Sequence, residues 1–377
     1  MKILFVGDAS NLHNALATAL RRMGHEVTVA SNGSYWMDTA RDINLCRQPG
    51  LAGAVRYLYD VMRALPKMRG YDVVHLVNPI FLELRPAKVR VVFDYLRKHN
   101  RSIFLSALGS DYDYVKACIE GKVLKYSEYM IGETPSGYME SPEAETERRY
   151  SWLTETMCQH QRYVMQHIDG AVACLYEYYK VCNELIPEKL TYGGIPIDTD
   201  SIEARYIETE PEKVRLFIGI QRHRHIFKGT DRLLAAAQRV VAKYPDKCCL
   251  EVVENVPYKE YVKRMSQSHV MLDQLYSYTP ATNALIAMAR GMVAVSGAEP
   301  EYYDFIGEHQ CQPIVNVSPA VEGDIDSKLE WIVLNKKRLP ELSQMSREFV
   351  MRHNNYMVVA QRHIDFWNKI LKEKYES

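Results

Sequence analysis

The chain has 377 residues, a length that favours two domains, and its 47 basic residues equal its 47 acidic residues. The resulting formal net charge of zero argues against nucleic-acid binding, which requires a basic face. The hydrophobic fraction of 47% and the charged fraction of 25% exclude a disordered or membrane-embedded chain and are typical of a globular protein.

The apolar run at the start of the sequence is too short for a signal-peptide core or a membrane span, and no longer run follows. We therefore expect a cytoplasmic protein. The eight cysteines form no C-x-x-C pair and no cluster with zinc spacing. We expect reduced, mostly buried thiols, no disulfide and no metal site.

The first 31 residues predict a strand, a helix and a second strand. The first strand ends at Gly7, and the helix has apolar residues on one face and a stop signal at Gly24. This order within about 30 residues is typical of a parallel, right-handed βαβ unit. Further strands are predicted at 71–79, 101–111 and 170–175, with a helix at 85–100.

Two stretches interrupt this alternation. Residues 112–165 are rich in Tyr, Glu and Ser and continue into a predicted helix at 154–169. Residues 189–200 contain two Gly, one Pro and two Asp, and they predict a turn-rich connection followed by a linker to Glu212.

A second alternation of strands and helices begins at 214–220 and continues to helices after about Ile325. The predicted fold class is therefore α/β, with two Rossmann-like domains, 1–190 and 213–350, and a cleft between them.

Four segments resemble the glycosyltransferases of the GT-B fold, most closely family 4. They are the opening unit that ends in GHEV, the turn YGGIPIDTD, the strand and basic loop VRLFIGIQRHRHIFKG, and YTPATNALIAMARGMVAVSGAEPE. The resemblance implies a hexosyl transfer from a nucleotide-sugar donor to a glycan or lipid-linked acceptor, with retention of configuration and without a metal or other cofactor. It also implies a polysaccharide or glycolipid pathway, and a helix at 355–377 that packs back on the first domain.

The resemblance places the donor diphosphate beside Lys228 and one of two loop arginines, Arg222 or Arg224. Arginine can bind phosphate oxygens in a fork and lysine acts as a point charge, so these residue types suit a leaving group that gains negative charge. The helix that begins near Thr282 and Asn283 would add free backbone amides.

The family's Glu-x7-Glu pair would fall on Tyr278 and Ile286, so both carboxylates are missing. The sequence leaves three explanations open: the chain belongs to a divergent subfamily with altered donor contacts, the match to the family motif is shifted in register, or the chain is a catalytically inactive relative. Glu299 could replace a missing carboxylate in catalysis, and Tyr278 and Glu301 are candidates for the pocket. Glu299 and Glu301 could also be solvated loop residues.

The loops after the first-domain strands offer candidates for the acceptor side, because ligands bind at the carboxyl ends of parallel strands. The first loop supplies Gly7, Asp8, Asn11 and His13, which could also form an ordinary helix cap. Asp111, in a loop similar to the family's His-Gly-Ser-Asp loop, is a catalytic candidate or the N-cap of the next helix. His75, at the end of another strand, is a further candidate that could be purely structural.

The basic and apolar residues of 85–101 could support peripheral membrane contact at the inner face of the membrane. The alternative is an ordinary surface helix that packs Val89, Val92, Phe93 and Leu96 inward. Two other functions compete with transfer: a catalytically inactive binding or scaffold protein, favoured by the missing Glu pair, and a nucleotide-sugar epimerase.

Overall fold

A computed structural model describes residues 1–142, 144 and 152–376. These residues form two compact units: the first contains 1–116, 152–196 and 356–376, and the second contains 117–142, 144 and 197–355. Residues 143, 145–151 and 377, which fall within the predicted first domain and C-terminal helix, lie outside the described part. Residues 117–142 therefore fold with the second unit, although they lie in the range predicted for the first domain.

The strands are β1 (Lys2–Val6), β2 (Glu26–Ser31), β3 (Ile43–Asn44), β4 (Val73–Leu76), β5 (Ile103–Ala107), β6 (Met130–Ile131), β7 (Thr134–Pro135), β8 (Gly170–Ala173), β9 (Leu190–Tyr192), β10 (Val214–Ile220), β11 (Cys248–Glu254), β12 (Val270–Leu272), β13 (Val293–Ser296) and β14 (Val315–Asn316).

The helices are α1 (Leu12–Arg22), α2 (Gly50–Ala64), α3 (Pro86–His99), α4 (Tyr112–Glu120), α5 (Glu155–His167), α6 (Tyr176–Asn183), α7 (Thr230–Lys243), α8 (Tyr258–Met265), α9 (Thr282–Ala289), α10 (Pro300–Ile306), α11 (Asp324–Leu334), α12 (Leu339–His353) and α13 (Tyr356–Glu376). None of these helices is long and apolar enough to cross a membrane.

The first unit contains a parallel sheet in the order β3-β2-β1-β4-β5-β8-β9. The βαβ unit predicted at the start of the chain is confirmed, since β1 and β2 pair in parallel on either side of α1. No element is predicted from the sequence at 43–64, where the structure has β3 and α2. The connection predicted at 189–200 is wrong at β9, because Leu190–Tyr192 adds a parallel strand to β8.

The second unit contains a parallel sheet in the order β11-β10-β12-β13-β14. Its core is made of aliphatic side chains such as Leu216, Ile218 and Leu272, which are fully buried. The two parallel sheets with flanking helices confirm the prediction of two Rossmann-like domains.

The helix furthest along the sequence, α13, belongs to the first unit, as the resemblance implied. It packs against α1, and its fully buried Trp367 lies 6.3 Å from the Phe5 ring and 6.1 Å from the Phe104 ring. Lys374 forms a 2.7 Å ion pair with Asp169. Since Trp367 is among the largest fully buried side chains, this helix is part of the first core.

Helix α3 is an ordinary surface helix in its packing. Val89, Val92, Phe93 and Leu96 are buried in the first core, as the alternative reading of 85–101 predicted. Val91, with 63% of its surface exposed, is the large apolar residue that faces outward.

Candidate functional site

Most of the donor-side candidates lie on three loops at one edge of the second sheet. Strands β10, β12 and β13 are neighbours in the sheet and run in parallel, so their carboxyl ends lie side by side. The loops that follow them carry residues 221–229, 273–281 and 297–299. Ligands of open parallel sheets bind at this edge.

The loop after β10 is fixed to the loop after β12 by a Lys-Gly turn. The carbonyl of Lys228 accepts a 2.9 Å hydrogen bond from the amide of Leu275. Gly229 has a φ of 68°, and an added Cβ would lie 2.7 Å from the Cβ of Leu275. Only glycine therefore combines this backbone conformation with this close approach.

We expect Gly229→Ala to lower the free energy of unfolding by about 2–4 kcal/mol, because it adds a clash to the cost of a left-handed alanine. Gly307→Ala is a matched control: its φ is also 68°, and no atom of the described residues lies within 4 Å of its Cβ position. Urea denaturation of both variants measures the difference. Equal losses would show that the close approach at Gly229 contributes nothing.

Lys228 is half-buried beside an acidic partner that the sequence analysis missed. Burial lowers the pKa of the Lys228 amine, the charge of Asp273 raises this pKa, and the charge of Arg224 lowers it. The site therefore holds a poorly hydrated ammonium next to a second cation. An anion bound here would meet a cation that has already lost part of its hydration.

Asp273 follows β12 directly and is 3% exposed. Burial raises the pKa of its carboxyl, whereas the charge of Lys228 and donors at the start of α9 lower it. Within the described residues, its Oδ2 accepts no hydrogen bond. An aspartate that ends the apolar run VML is the sequence signal that could have identified it.

The two loop arginines differ in their surroundings. Arg222 Nε forms a 2.6 Å ion pair with Glu254 Oε1. The guanidinium of Arg224 lies over the Phe227 ring, 4.6 Å from its centroid, and its charge acts on Lys228. The structure therefore favours Arg224 over Arg222 as the second cation of this site.

The start of α9 lies next to Asp273, the acidic partner of Lys228. Ala281 is the extended N-cap residue, and the first turn contains no acidic side chain. Thr282 is half-buried at the first helical position, and the Asn283 amide donates a 2.7 Å hydrogen bond to the Tyr261 hydroxyl. The backbone amides of Ala281 and Ala284 already donate to the Asp273 carboxyl, so the donors that this helix start can offer a ligand are the Thr282 and Asn283 amides and the Thr282 hydroxyl.

Tyr278, which replaces the first glutamate of the family pair, is 3% exposed. Its ring stacks on Tyr126 at 4.6 Å with an interplanar angle of 18°, and its hydroxyl accepts a hydrogen bond from the Tyr126 amide. The Tyr126 hydroxyl donates a 2.8 Å hydrogen bond to Glu299 Oε1, which also accepts one from Asn316. Tyr278 thus anchors a tyrosine that fixes the Glu299 carboxylate.

Residues 126–138, which we call the tyrosine segment, contact both candidate loops. Tyr129 and Tyr138 meet Phe227 edge to face at 6.2 Å and 5.0 Å, next to Lys228. Just before the segment, Lys125 forms a 2.8 Å ion pair with Glu301. The segment lies in the stretch that matched no family motif, and it joins the Lys228 loop to the Glu299 loop.

The acceptor-side candidates lie in the first unit, on the loops after β1 and β5. Asp8 is buried and accepts hydrogen bonds from the His13 amide at 2.9 Å and the Thr39 hydroxyl at 2.9 Å. Asn11, with a φ of 66°, is the N-cap residue of α1, and its side chain accepts a hydrogen bond from Asn14. Gly7 has a φ of 81°, and an added Cβ would lie 2.3 Å from Val77.

His13 is fully buried together with His75 and His363. Its Nδ1 lies 2.7 Å from the Gly7 carbonyl oxygen, and its Nε2 lies 3.1 Å from the Ser106 hydroxyl. The ring centroid of His75 lies 5.4 Å from that of His13 and 5.6 Å from that of His363. Burial lowers the pKa of all three imidazoles, so these three residues, which we call the histidine cluster, are neutral.

Asp111 caps α4, since its Oδ1 accepts a 2.8 Å hydrogen bond from the Tyr114 amide. Burial raises the pKa of this carboxyl to about 6. A carboxyl with this pKa can exchange a proton near neutral pH, a property that suits a group close to a reacting hydroxyl.

No family model and no curated protein sequence matches the chain. Several solved structures share its fold. Sucrose-phosphate synthase from Thermosynechococcus elongatus superposes with a TM-score of 0.63 at 13% identity, covering 99% of this chain and 100% of that chain. The catalytic domain of starch synthase IV from Arabidopsis thaliana, bound to ADP and acarbose, gives 0.57 at 10% identity, with 99% of both chains covered.

A putative UDP-N-acetylglucosamine 2-epimerase from Listeria monocytogenes gives a TM-score of 0.55 at 10% identity, covering 100% of this chain and 97% of that chain. At such low identities the similarity concerns the fold. The chain has the GT-B fold, built from two Rossmann-like domains.

Proposed function

We propose that this protein transfers a hexosyl group from a nucleotide-sugar donor to a glycan or lipid-linked acceptor, in polysaccharide or glycolipid synthesis. The observation that carries the proposal is the half-buried Lys228 ammonium, with Arg224 beside it, at the ligand-binding edge of the second sheet. Two proteins of the same fold are named sucrose-phosphate synthase and starch synthase IV. The shared fold of these two synthases supports the proposal.

In the proposed reaction, an acceptor hydroxyl oxygen bonds to the anomeric carbon of the sugar, and the bond from that carbon to the diphosphate oxygen breaks. The diphosphate leaves with a full additional negative charge. Lys228, Arg224 and the Thr282 end of α9 stabilise that charge in place of a metal ion. We propose that the configuration at the anomeric carbon is retained, as the resemblance implies.

We propose a role for one carboxyl group in each unit. Glu299, which is held by Tyr126 and Asn316, would bind sugar hydroxyls next to the diphosphate. Asp111, with a pKa of about 6, would orient the acceptor hydroxyl and receive its proton in the first unit.

A test of the donor site is the shift in melting temperature with UDP, GDP and ADP, each with and without EDTA. A ligand at 100 times its dissociation constant should stabilise the fold by about 2.7 kcal/mol. We expect a shift with one nucleotide that EDTA does not change and that Lys228→Ala abolishes. Lys263→Ala, at an exposed lysine of α8, is the matched control and should keep the shift. No shift with any nucleotide would contradict the proposal.

An epimerase is the second candidate, because the Listeria epimerase shares the fold over the whole chain. Formation of a new nucleotide sugar without any acceptor would favour this alternative. Nucleotide binding without any turnover would favour a scaffold protein, for which the replacement of the glutamate pair by Tyr278 and Ile286 is the supporting observation.

A further inference from the structure

Helix α2 exposes large apolar side chains along its outer face. The exposed fractions are 89% for Leu51, 71% for Val55, 63% for Tyr59 and 51% for Met62. Their spacing of four, four and three residues places them in one line along the helix, which we call the α2 stripe. A continuous apolar surface of this kind marks an interaction site.

The opposite face of α2 explains why this stripe faces outward. Gly53, Tyr57, Val61 and Ala64 are buried against the first sheet and its core. The helix therefore already has a complete inward face, and the α2 stripe is a second apolar face that the core does not use.

Basic residues border the α2 stripe. Arg56 and Arg63 each follow a stripe residue by one position, about 100° round the helix. The segment 47–69 contains five basic residues and one acidic residue, although the whole chain is neutral. That acid, Asp60, lies 3.8 Å from Arg56, and the Arg56 side chain is 80% exposed.

We propose that the α2 stripe binds an anionic lipid surface. The helix would lie in the plane of the membrane, with its apolar line at the boundary between headgroups and acyl chains and its arginines on headgroup phosphates. The charge of the segment selects this occupant. In a symmetric dimer through the stripe, two copies of a segment with four net positive charges would face each other. A bilayer with anionic headgroups can bind both the apolar stripe, in its acyl region, and the bordering arginines, at its phosphates. This inference does not depend on sugar transfer.

Helix α3 provides the matched comparison. It carries exposed basic residues, including Arg97 and Lys98, but four of its large apolar residues are buried in the first core and a single one, Val91, is mostly exposed, so it has no exposed apolar line. If charge alone caused membrane binding, α3 and α2 would contribute alike. If the apolar line is required, α2 alone should matter.

The test is cosedimentation with vesicles of equal parts phosphatidylglycerol and phosphatidylcholine, and with vesicles of phosphatidylcholine alone. We expect the wild type to bind the anionic vesicles, and V55Q/Y59Q to lower the partition coefficient at least tenfold. V321Q/L334Q, at two exposed apolar residues of the second unit, is the control and should bind like the wild type.

The contribution of charge is tested by R56Q/R63Q. We expect about a fivefold loss for each arginine on anionic vesicles at low salt, a smaller loss at high salt, and no change from R97Q/K98Q. All substituted side chains are exposed, so melting temperatures should stay close to that of the wild type.

Three results would overturn the proposal. The wild type could fail to sediment with anionic vesicles, V55Q/Y59Q could sediment as the wild type does, or R97Q/K98Q could cause the larger loss. A lipid-free dimer that V55Q/Y59Q converts to a monomer, combined with absent vesicle binding, would assign the stripe to a second copy of this chain.

Discussion

Lys228→Ala should lower kcat/KM for sugar transfer by about 100- to 1000-fold. A cation aimed at charge that develops in the transition state contributes about 2.7–4 kcal/mol in an enclosed site. Lys228 fits this role because its ammonium is half-buried and therefore weakly screened by water. Initial rates with the donor identified by thermal shift measure the effect, and Lys263→Ala controls for the loss of a surface lysine. A loss below about fivefold would remove Lys228 from the site.

The pH dependence of nucleotide binding tests the role of Asp273. The charge of Asp273 raises the pKa of Lys228 against the effect of burial. Asp273→Asn should therefore lower that pKa further, so that affinity is lost at a lower pH than in the wild type as the ammonium deprotonates. An unchanged high-pH limb would show that the two residues are not coupled.

Acid should destabilise the first unit through the histidine cluster. Burial lowers the pKa of His13 to about 3 and that of His363 to about 4, and it lowers the pKa of His75 well below the ordinary value. In the unfolded chain these imidazoles bind protons below about pH 6.5, whereas the folded cluster stays neutral. The free energy of unfolding should therefore fall by about 2 kcal/mol for each imidazole between pH 6.5 and pH 4.5.

Urea denaturation at a series of pH values measures this loss. Asp111 acts in the opposite direction, because its raised pKa of about 6 lets the folded state bind a proton first. The decisive comparison is therefore between variants. His75→Phe should reduce the slope by about 1.2 kcal/mol per pH unit in this window, whatever its effect on the free energy of unfolding at pH 7. A slope in His75→Phe equal to that of the wild type would contradict the prediction.

The sequence predicted best the elements whose apolar residues form one uninterrupted run. The predicted strand at 214–220 has the same bounds as β10. No helix was predicted at α2, whose apolar residues lie on both its buried and its exposed face. β9 was missed because three residues next to two glycines resemble a turn, and pairing with β8 makes them a strand.

The site followed the same rule. Lys228 and the start of α9 could be proposed as site residues because each lies in a local motif of strand, loop and helix. Tyr126 could not be predicted, since its partners Tyr278 and Glu299 lie more than 150 residues away in the sequence. Asp273 directly follows the apolar run VML, but its pairing with Lys228 depends on β12 lying beside β10 in the sheet. Contacts distant in sequence, which depend on the finished fold, account for these gaps.

The place of α13 has a consequence for synthesis on the ribosome. The first unit contains β1 and the elements that follow it to residue 116, yet Trp367 of α13 packs in its core beside Phe5 and Phe104. Every described residue of the second unit precedes α13 in the sequence. The first unit therefore cannot complete its core until α13 has been synthesised, and until then Phe5 and Phe104 lack their buried neighbour. The second unit can fold earlier. The nascent first unit is the part that needs protection from aggregation until α13 has been synthesised.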